Sequence, residues 1–282
     1  MTFPLMKSRA RRSLLGLALL AVLPGCAALH SAKTPTQAVK TPSVAEPADA
    51  RYILTRMARF LASSPAYRVT IRDSYDVLQD SGQKIEFGDV RQITLRRPSQ
   101  LRVDLTESDG DRREIFYDGK AVTAFSPAAN VYAQSRIVGD IDAAIRHVQE
   151  KLRLRLPLAA LLTTRFPREL AARTESLDYV ERTSIDGVDA HHLAGRSQEI
   201  DYQAWIAAGD TPLLLKLILT YRTAEGQPQF RAEFTDWNFR PDAPASVFDF
   251  VPPKAAKRID FLAELPAIGL PITPAITSGE TP

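Results

Sequence analysis

From Tyr67 onward apolar side chains recur at every second position, and that period limits the fold more than any other feature. Tyr67, Val69, Ile71, Tyr75 and Val77 alternate with Arg68, Thr70, Arg72, Ser74 and Asp76. Leu101, Val103 and Leu105 alternate with Arg102, Asp104 and Thr106, and further on Ile200, Tyr202, Ala204 and Ile206 oppose Glu199, Asp201 and Gln203. Successive side chains of a strand point to opposite faces, so the pattern predicts antiparallel strands with one face in a core and one in water. Tyr117-Asp118-Gly119-Lys120, Asp186-Gly187 and Glu225-Gly226-Gln227 supply the turns of sequential hairpins.

Two stretches break the period. Asp49 is placed to cap a helix running to Leu61, with Ile53, Met57, Phe60 and Leu61 on one face and Ser63-Ser64-Pro65 ending it. Asp140 is placed to cap a second helix whose Ile141, Ile145, Val148 and Leu152 form one apolar stripe. Pro157 then opens a short apolar turn or helix, Leu158 to Leu162. The expected fold is α+β: one large curved antiparallel sheet of about ten strands, an unclosed half-barrel, with the helices on its concave face. Ile145, Val148, Leu215 and Phe230 are expected to be buried in it. A closed barrel is the alternative. The run Leu213 to Leu219 is apolar on both faces apart from Lys216, which places Leu214 and Ile218 outward, so cover from the chain itself or another surface is expected there.

The ends differ from this body. Residues 1–25 read as an export signal: Lys7, Arg9, Arg11 and Arg12 are a basic lead, and Leu14 to Leu23 is an apolar run too short to span a bilayer. Leu23-Pro24-Gly25-Cys26 resembles the lipobox of bacterial lipoproteins, although Pro24 departs from the usual alanine or serine. The resemblance implies cleavage before Cys26 and a diacylglyceryl group on that residue, the only cysteine of the 282-residue chain. An ordinary secretory signal or a transmembrane anchor is the alternative, and Arg11-Arg12 leaves open whether export is general or twin-arginine. Ala27, not aspartate, follows the cysteine; in enterobacterial lipoproteins this implies the outer membrane rather than the inner. Residues 26–48 carry almost no large apolar side chain and read as a flexible tether with a reach of ~25 Å. Residues 262–282 form a proline- and threonine-containing tail, leaving 49–261 as a single domain.

Removing the signal also removes the positive balance. The chain carries 36 Lys+Arg and 33 Asp+Glu, a net +3, and four basic residues leave with the signal. The remaining 32 against 33 is a net −1, which offers no footprint for nucleic acid. With Cys26 acylated, no thiol is left for a disulfide or a metal.

Ile185-Asp186-Gly187-Val188, His191-His192-Leu193, Asp201, Trp205-Ile206, Pro212-Leu213, Lys216, Gly226, Pro228-Gln229-Phe230, Phe234, Trp237 and the closing Phe248-Asp249-Phe250-Val251-Pro252-Pro253 together resemble a family of predicted periplasmic proteins of unknown function. That family is similar in fold to the LolA and LolB lipoprotein carrier and receptor, and to a periplasmic regulator that acts by binding its partner. The resemblance implies an open curved sheet with helices as a lid over an apolar hollow. It implies function only by analogy, because one fold hosts many activities.

No linear motif for catalysis occurs: G-x-S-x-G, the P-loop and G-x-G-x-x-G are all missing. His191 and His192, adjacent on a strand, point to opposite faces and do not readily share one ion; one inside and one outside is expected. The reading is therefore of a non-enzyme with no catalytic residue, metal or cofactor. It is held to its membrane by lipid on Cys26, is expected to be monomeric, and takes an apolar ligand, a lipid or lipoprotein. The candidate lining is Ile145 and Val148 from the second helix, with Trp205 as a wall residue. The alternative is a regulatory or scaffolding protein whose hollow is filled by its own side chains. One outcome is checkable at once. Mass analysis of the mature N-terminal peptide should find acylated Cys26; an unmodified cysteine or an uncleaved leader would refute the lipoprotein reading.

Overall fold

The computed structural model describes residues 49–152, 156 and 158–261. The leader 1–25, Cys26 with the tether 26–48, Pro157 and the tail 262–282 lie outside the described residues. Helix α1 (Ala50–Ser63) is followed by strands β1 (Ala66–Leu78), β2 (Lys84–Arg96), β3 (Gln100–Glu107), β4 (Arg112–Tyr117), β5 (Ala121–Ser126) and β6 (Val131–Arg136). Helix α2 (Ile141–Glu150), a 3-10 turn (Ala159–Leu162) and α3 (Phe166–Arg173) come next. Strands β7 (Ser176–Ile185), β8 (Val188–Arg196), β9 (Ile200–Ala207), β10 (Leu214–Tyr221) and β11 (Gln229–Asn238) follow, then a second 3-10 turn (Ala245–Val247) and β12 (Lys257–Ile259).

These twelve strands form one sheet in the order β12-β6-β5-β4-β3-β2-β1-β11-β10-β9-β8-β7. Two meanders, β1 to β6 and β7 to β11, are joined where β1 pairs with β11. The sheet has two free edges, so it is an open half-barrel rather than a closed one. The count exceeds the ten expected from the sequence. Strand β12, three residues long and paired parallel to β6, is too short to carry a period and is the exception to the antiparallel pattern.

Local chemistry sets the helix ends and turns. The Asp49 carboxylate accepts from the backbone of Arg51 and Tyr52, and that of Asp140 accepts from Ala143, each filling donors that the first turn leaves open. Asp118 accepts from Lys120 and Ala121, while Gly119 takes the positive φ of 87° that the β4–β5 turn needs. Helix α3 is absent from the sequence-based expectation. It lasts eight residues, buries only Phe166 fully and has no side-chain cap, so no apolar stripe announces it.

The inner face is the core. Odd-numbered residues of β1 point inward, with Tyr67, Val69 and Ile71 each about 1% exposed. Helix α1 lies over β7 to β9, and α2 faces β2 to β5. The anticipated Ile145, Val148 and Phe230 are buried in this core, and Leu215 is buried in a separate cluster on the other face.

One side chain fastens the helices to the sheet. Arg97, just past β2, donates to the carbonyls of Leu61 (3.3 Å) and Ser64 (3.2 Å) at the end of α1 and of Leu162 (2.9 Å) at the end of the 3-10 turn. These are carbonyls that a helix end leaves without an internal partner. A second brace is Asp142 of α2, 6% exposed, whose carboxylate accepts from the backbone (2.9 Å) and hydroxyl (2.7 Å) of Thr164.

The outer face is covered on one half only. After β11 the chain crosses behind β2 to β6, where Phe250 packs on Phe116, Phe125 and Tyr132, and Arg96 lies over the fully buried Phe248 ring. Behind β8 to β10 the described residues supply no such strap, only a small cluster of Ala190, Ala207 and Leu215 flanked by Ile185, Trp205 and Leu213. The expectation that Leu214 faces outward is corrected. A register shift between Leu214 and Lys216 turns Leu214 inward beside Ile206, and Leu215 takes the outer side.

Two outcomes follow from these contacts. Arg97→Met leaves carbonyls without their donor and should lower the unfolding free energy by about 2 kcal/mol or more, with Arg97→Lys intermediate; denaturation of Arg97→Met at the wild-type midpoint would show that the guanidinium fastens nothing. The second concerns Asp73, buried on the inner face of β1, where Arg91 meets it at 2.7 Å. Burial raises its pKa from 3.8 to about 6, against the opposing pull of Arg91. The folded chain then holds a proton that the unfolded chain has released, so this group's contribution is full below about pH 4 and is lost as pH rises towards 6. Asp73→Asn should flatten the fall in melting temperature across that window; an identical slope in both proteins would count against the assignment.

Candidate functional site

Among the described residues the helices do not fill the inner face, and two apolar cavities of about 100 Å³ or more remain beneath them. The first, of about 100 Å³, lies between β2 to β5 and α2. Its floor includes Ile93, Leu101, Val103 and Val122, and Ala144, Ile145 and Val148 of α2 form its roof. The stripe of α2 points there because Ile141, Ile145 and Val148 recur at helical spacing. Ile145 and Val148 both line this cavity.

One end of this cavity is charged. Arg91 lines it and is held by Asp73 and by Asp89 at 3.0 Å. Next to them Glu107 pairs with Arg113 at 3.0 Å. Beyond these pairs the β1–β2 hairpin carries Tyr75 stacked on Phe87, with Phe87 and Ile85 about 40% exposed. The apolar lining continues past the charged girdle into solvent.

The second cavity, of about 200 Å³, lies between α1, α3 and strands β9 and β10. Met57, Leu161, Phe166, Leu170, Leu214 and Leu217 supply apolar wall. Leu158 lines both cavities and forms part of the partition. Arg173, Thr174, Ser197 and Tyr202 form a polar end. Tyr202 is set by Gly195, its cross-strand partner: a Cβ at Gly195 would overlap the Tyr202 ring. The Tyr202 hydroxyl lies 2.8 Å from Thr174 Oγ1, at the end of α3. Burial raises the Tyr202 pKa. Sequence reasoning missed this cavity together with α3; Pro167 in the first turn and Arg173 in the last were the available signals.

Trp205 is not a wall of either cavity, which corrects its assignment. Its neighbours Ala204 and Ile206 point inward, so alternation sends Trp205 to the outer face. There it stacks on His192 at 4.1 Å and 10°, with the Lys216 ammonium 5.7 Å from its ring centre. His192 also lies 3.1 Å from Gln203 Oε1, while His191 points the other way and meets the Tyr179 hydroxyl at 3.3 Å. Burial, followed by the Arg182 and Arg56 charges, lowers the His191 pKa. Among the described residues no three His, Cys, Asp or Glu side chains gather as metal ligands.

No curated protein matches the chain. Among solved structures it is similar to an uncharacterised conserved protein of Thermus thermophilus, with 14% identity and a TM-score of 0.43 over 75% of this chain and 98% of that one. It is also similar to the Mycobacterium tuberculosis lipoprotein LppX, with 13% identity and a TM-score of 0.43 over 68% of this chain and 96% of that one. MucB of Pseudomonas aeruginosa, solved with MucA, shares 20% identity and a TM-score of 0.39 over 71% of this chain; the match spans 60% of the MucA/MucB chain. The model of a family described as "Predicted periplasmic protein (DUF2092)" matches residues 50–262, most of the sequence. The chain belongs to this DUF2092 family of predicted periplasmic proteins.

Proposed function

We propose that the protein is a non-catalytic periplasmic binding protein that shelters an apolar, acyl-type ligand between its sheet and helices. The observation that carries this is the first cavity, roofed by Ile145 and Val148 and lined almost wholly by aliphatic side chains. Each buried methylene contributes about 0.8 kcal/mol, so an acyl chain binds there without polar recognition. On the scale in which a dry cavity of about 150 Å³ holds benzene, the first cavity as it stands takes about four carbons. A longer chain enters as α2 moves off the sheet. Lipid on Cys26 holds the domain at the periplasmic face of a membrane, the outer one by the identity of Ala27, as a monomer on a short tether.

A second reading, in which the protein acts through protein contacts, has one observation in its favour. Among the described residues the outer face of β8 to β10 lacks the strap that covers the other half, and Val188 stands 44% exposed beside Ile185. The two readings part in one titration. A mature chain with Cys26→Ser should take up a fluorescent long-chain fatty acid, and Val148→Asp, which puts an unpaired charge into the roof, should cut uptake at least tenfold while Val148→Ile retains it. If the Cys26→Ser chain takes up none, the ligand reading gives way to the protein-contact one.

A further inference from the structure

We infer that the second cavity is a separate site for a single-chain amphiphile with a carboxylate head, of about eight carbons, with Arg173 as the group that selects the head. This deepens the binding reading above but stands on different residues.

The hydroxyls at the polar end have their protons already committed. Thr174 Oγ1 donates to the carbonyl of Leu170 at 2.7 Å, so in its 2.8 Å contact with Tyr202 the phenol is the donor. Ser197 Oγ donates to the carbonyl of Ile200 at 3.0 Å and accepts from the Ile200 backbone. None of the three hydroxyls has a proton left for a ligand.

The guanidinium of Arg173 is differently placed. It lines the cavity, is exposed to solvent, and makes no ion pair among the described residues. The other charged lining residue, Glu169, sits 3.5 Å from Arg165, the residue just before α3. Arg222 nearby is occupied by Asp201 and the Ser197 carbonyl. Arg51 adds a further positive field, felt at Tyr202. The donor left free at this mouth is therefore cationic and planar, which suits a carboxylate in a paired geometry.

The walls set the rest of the ligand. Met57, Phe166, Leu214 and Leu217 offer nothing polar, and the volume of about 200 Å³ holds about eight carbons on the benzene scale. A branched or two-chain lipid does not fit behind Leu158 without moving the partition. A free medium-chain acid and the end of a longer acid share this chemistry, and chain length tells them apart.

The test is calorimetric titration of the full mature chain carrying Cys26→Ser with octanoate, octan-1-ol and octylammonium, and with hexadecanoate for chain length. Octanoate should bind one to one and about tenfold more tightly than octanol, with octylammonium weakest. Arg173→Gln should abolish that preference and leave octanol binding unchanged, whereas Leu217→Trp should fill the cavity and remove the carboxylate-selective binding. Ala204→Leu is a second filling variant should Leu217→Trp fail to fold. Octanoate no tighter than octanol, or a preference that survives Arg173→Gln, would each overturn the assignment. Octanoate binding by a chain that takes up no long-chain probe would retire the first-cavity reading and leave this one standing.

Discussion

Arg97 ties three carbonyls from two separate helical ends to a single point beside β2. Much else depends on that point. The sheet has twelve strands, and the described elements facing its inner side are three helices and one 3-10 turn. Pinning α1 and the turn at Arg97 fixes their carboxyl ends, and the remaining inner surface is left to α2 on one side and α3 on the other. Each closes its own side incompletely, and Leu158 stands between the two gaps. A core packed to ordinary density would not leave such hollows, since apolar space without partner atoms loses the contacts that hold it shut.

The two cavities differ in the chemistry around them. The first is ringed at one end by paired charges: Arg91 with Asp73 and Asp89, Arg113 with Glu107. The second ends in hydroxyls already bonded within the protein and an arginine without an acidic partner among the described residues. An apolar ligand gains from burial in either, but only the second offers a charge to select a head group. The outer face adds a further asymmetry. The segment around Phe248 and Phe250 seals the half behind the first cavity, while the stacked pair of His192 and Trp205 marks the half left without it.

Much of this is legible in the sequence because strands alternate strictly where one face is buried. The inner residues of β1, β3 and β9, the caps Asp49 and Asp140, and the stripe of α2 follow from period and position alone. Where reading fails, a local irregularity breaks the count. The shift in β10 turns Leu214 inward, and brevity hides α3 and β12. Trp205 is the exception, since its neighbours Ala204 and Ile206 already give its face; aromatic character suggests a wall residue only when alternation is set aside. The second cavity is invisible in the sequence, because its polar end is assembled from Arg173, Tyr202 and Ser197, which only folding brings together.

The claim that the hollow under the helices is a binding site has one direct test. The Cys26→Ser chain, exported behind an ordinary cleavable signal and purified without detergent, should be weighed by native mass spectrometry. The account predicts a population heavier than the polypeptide by the mass of one apolar molecule, which organic extraction removes. A single species at the bare polypeptide mass, unchanged on adding acyl lipid, would contradict it.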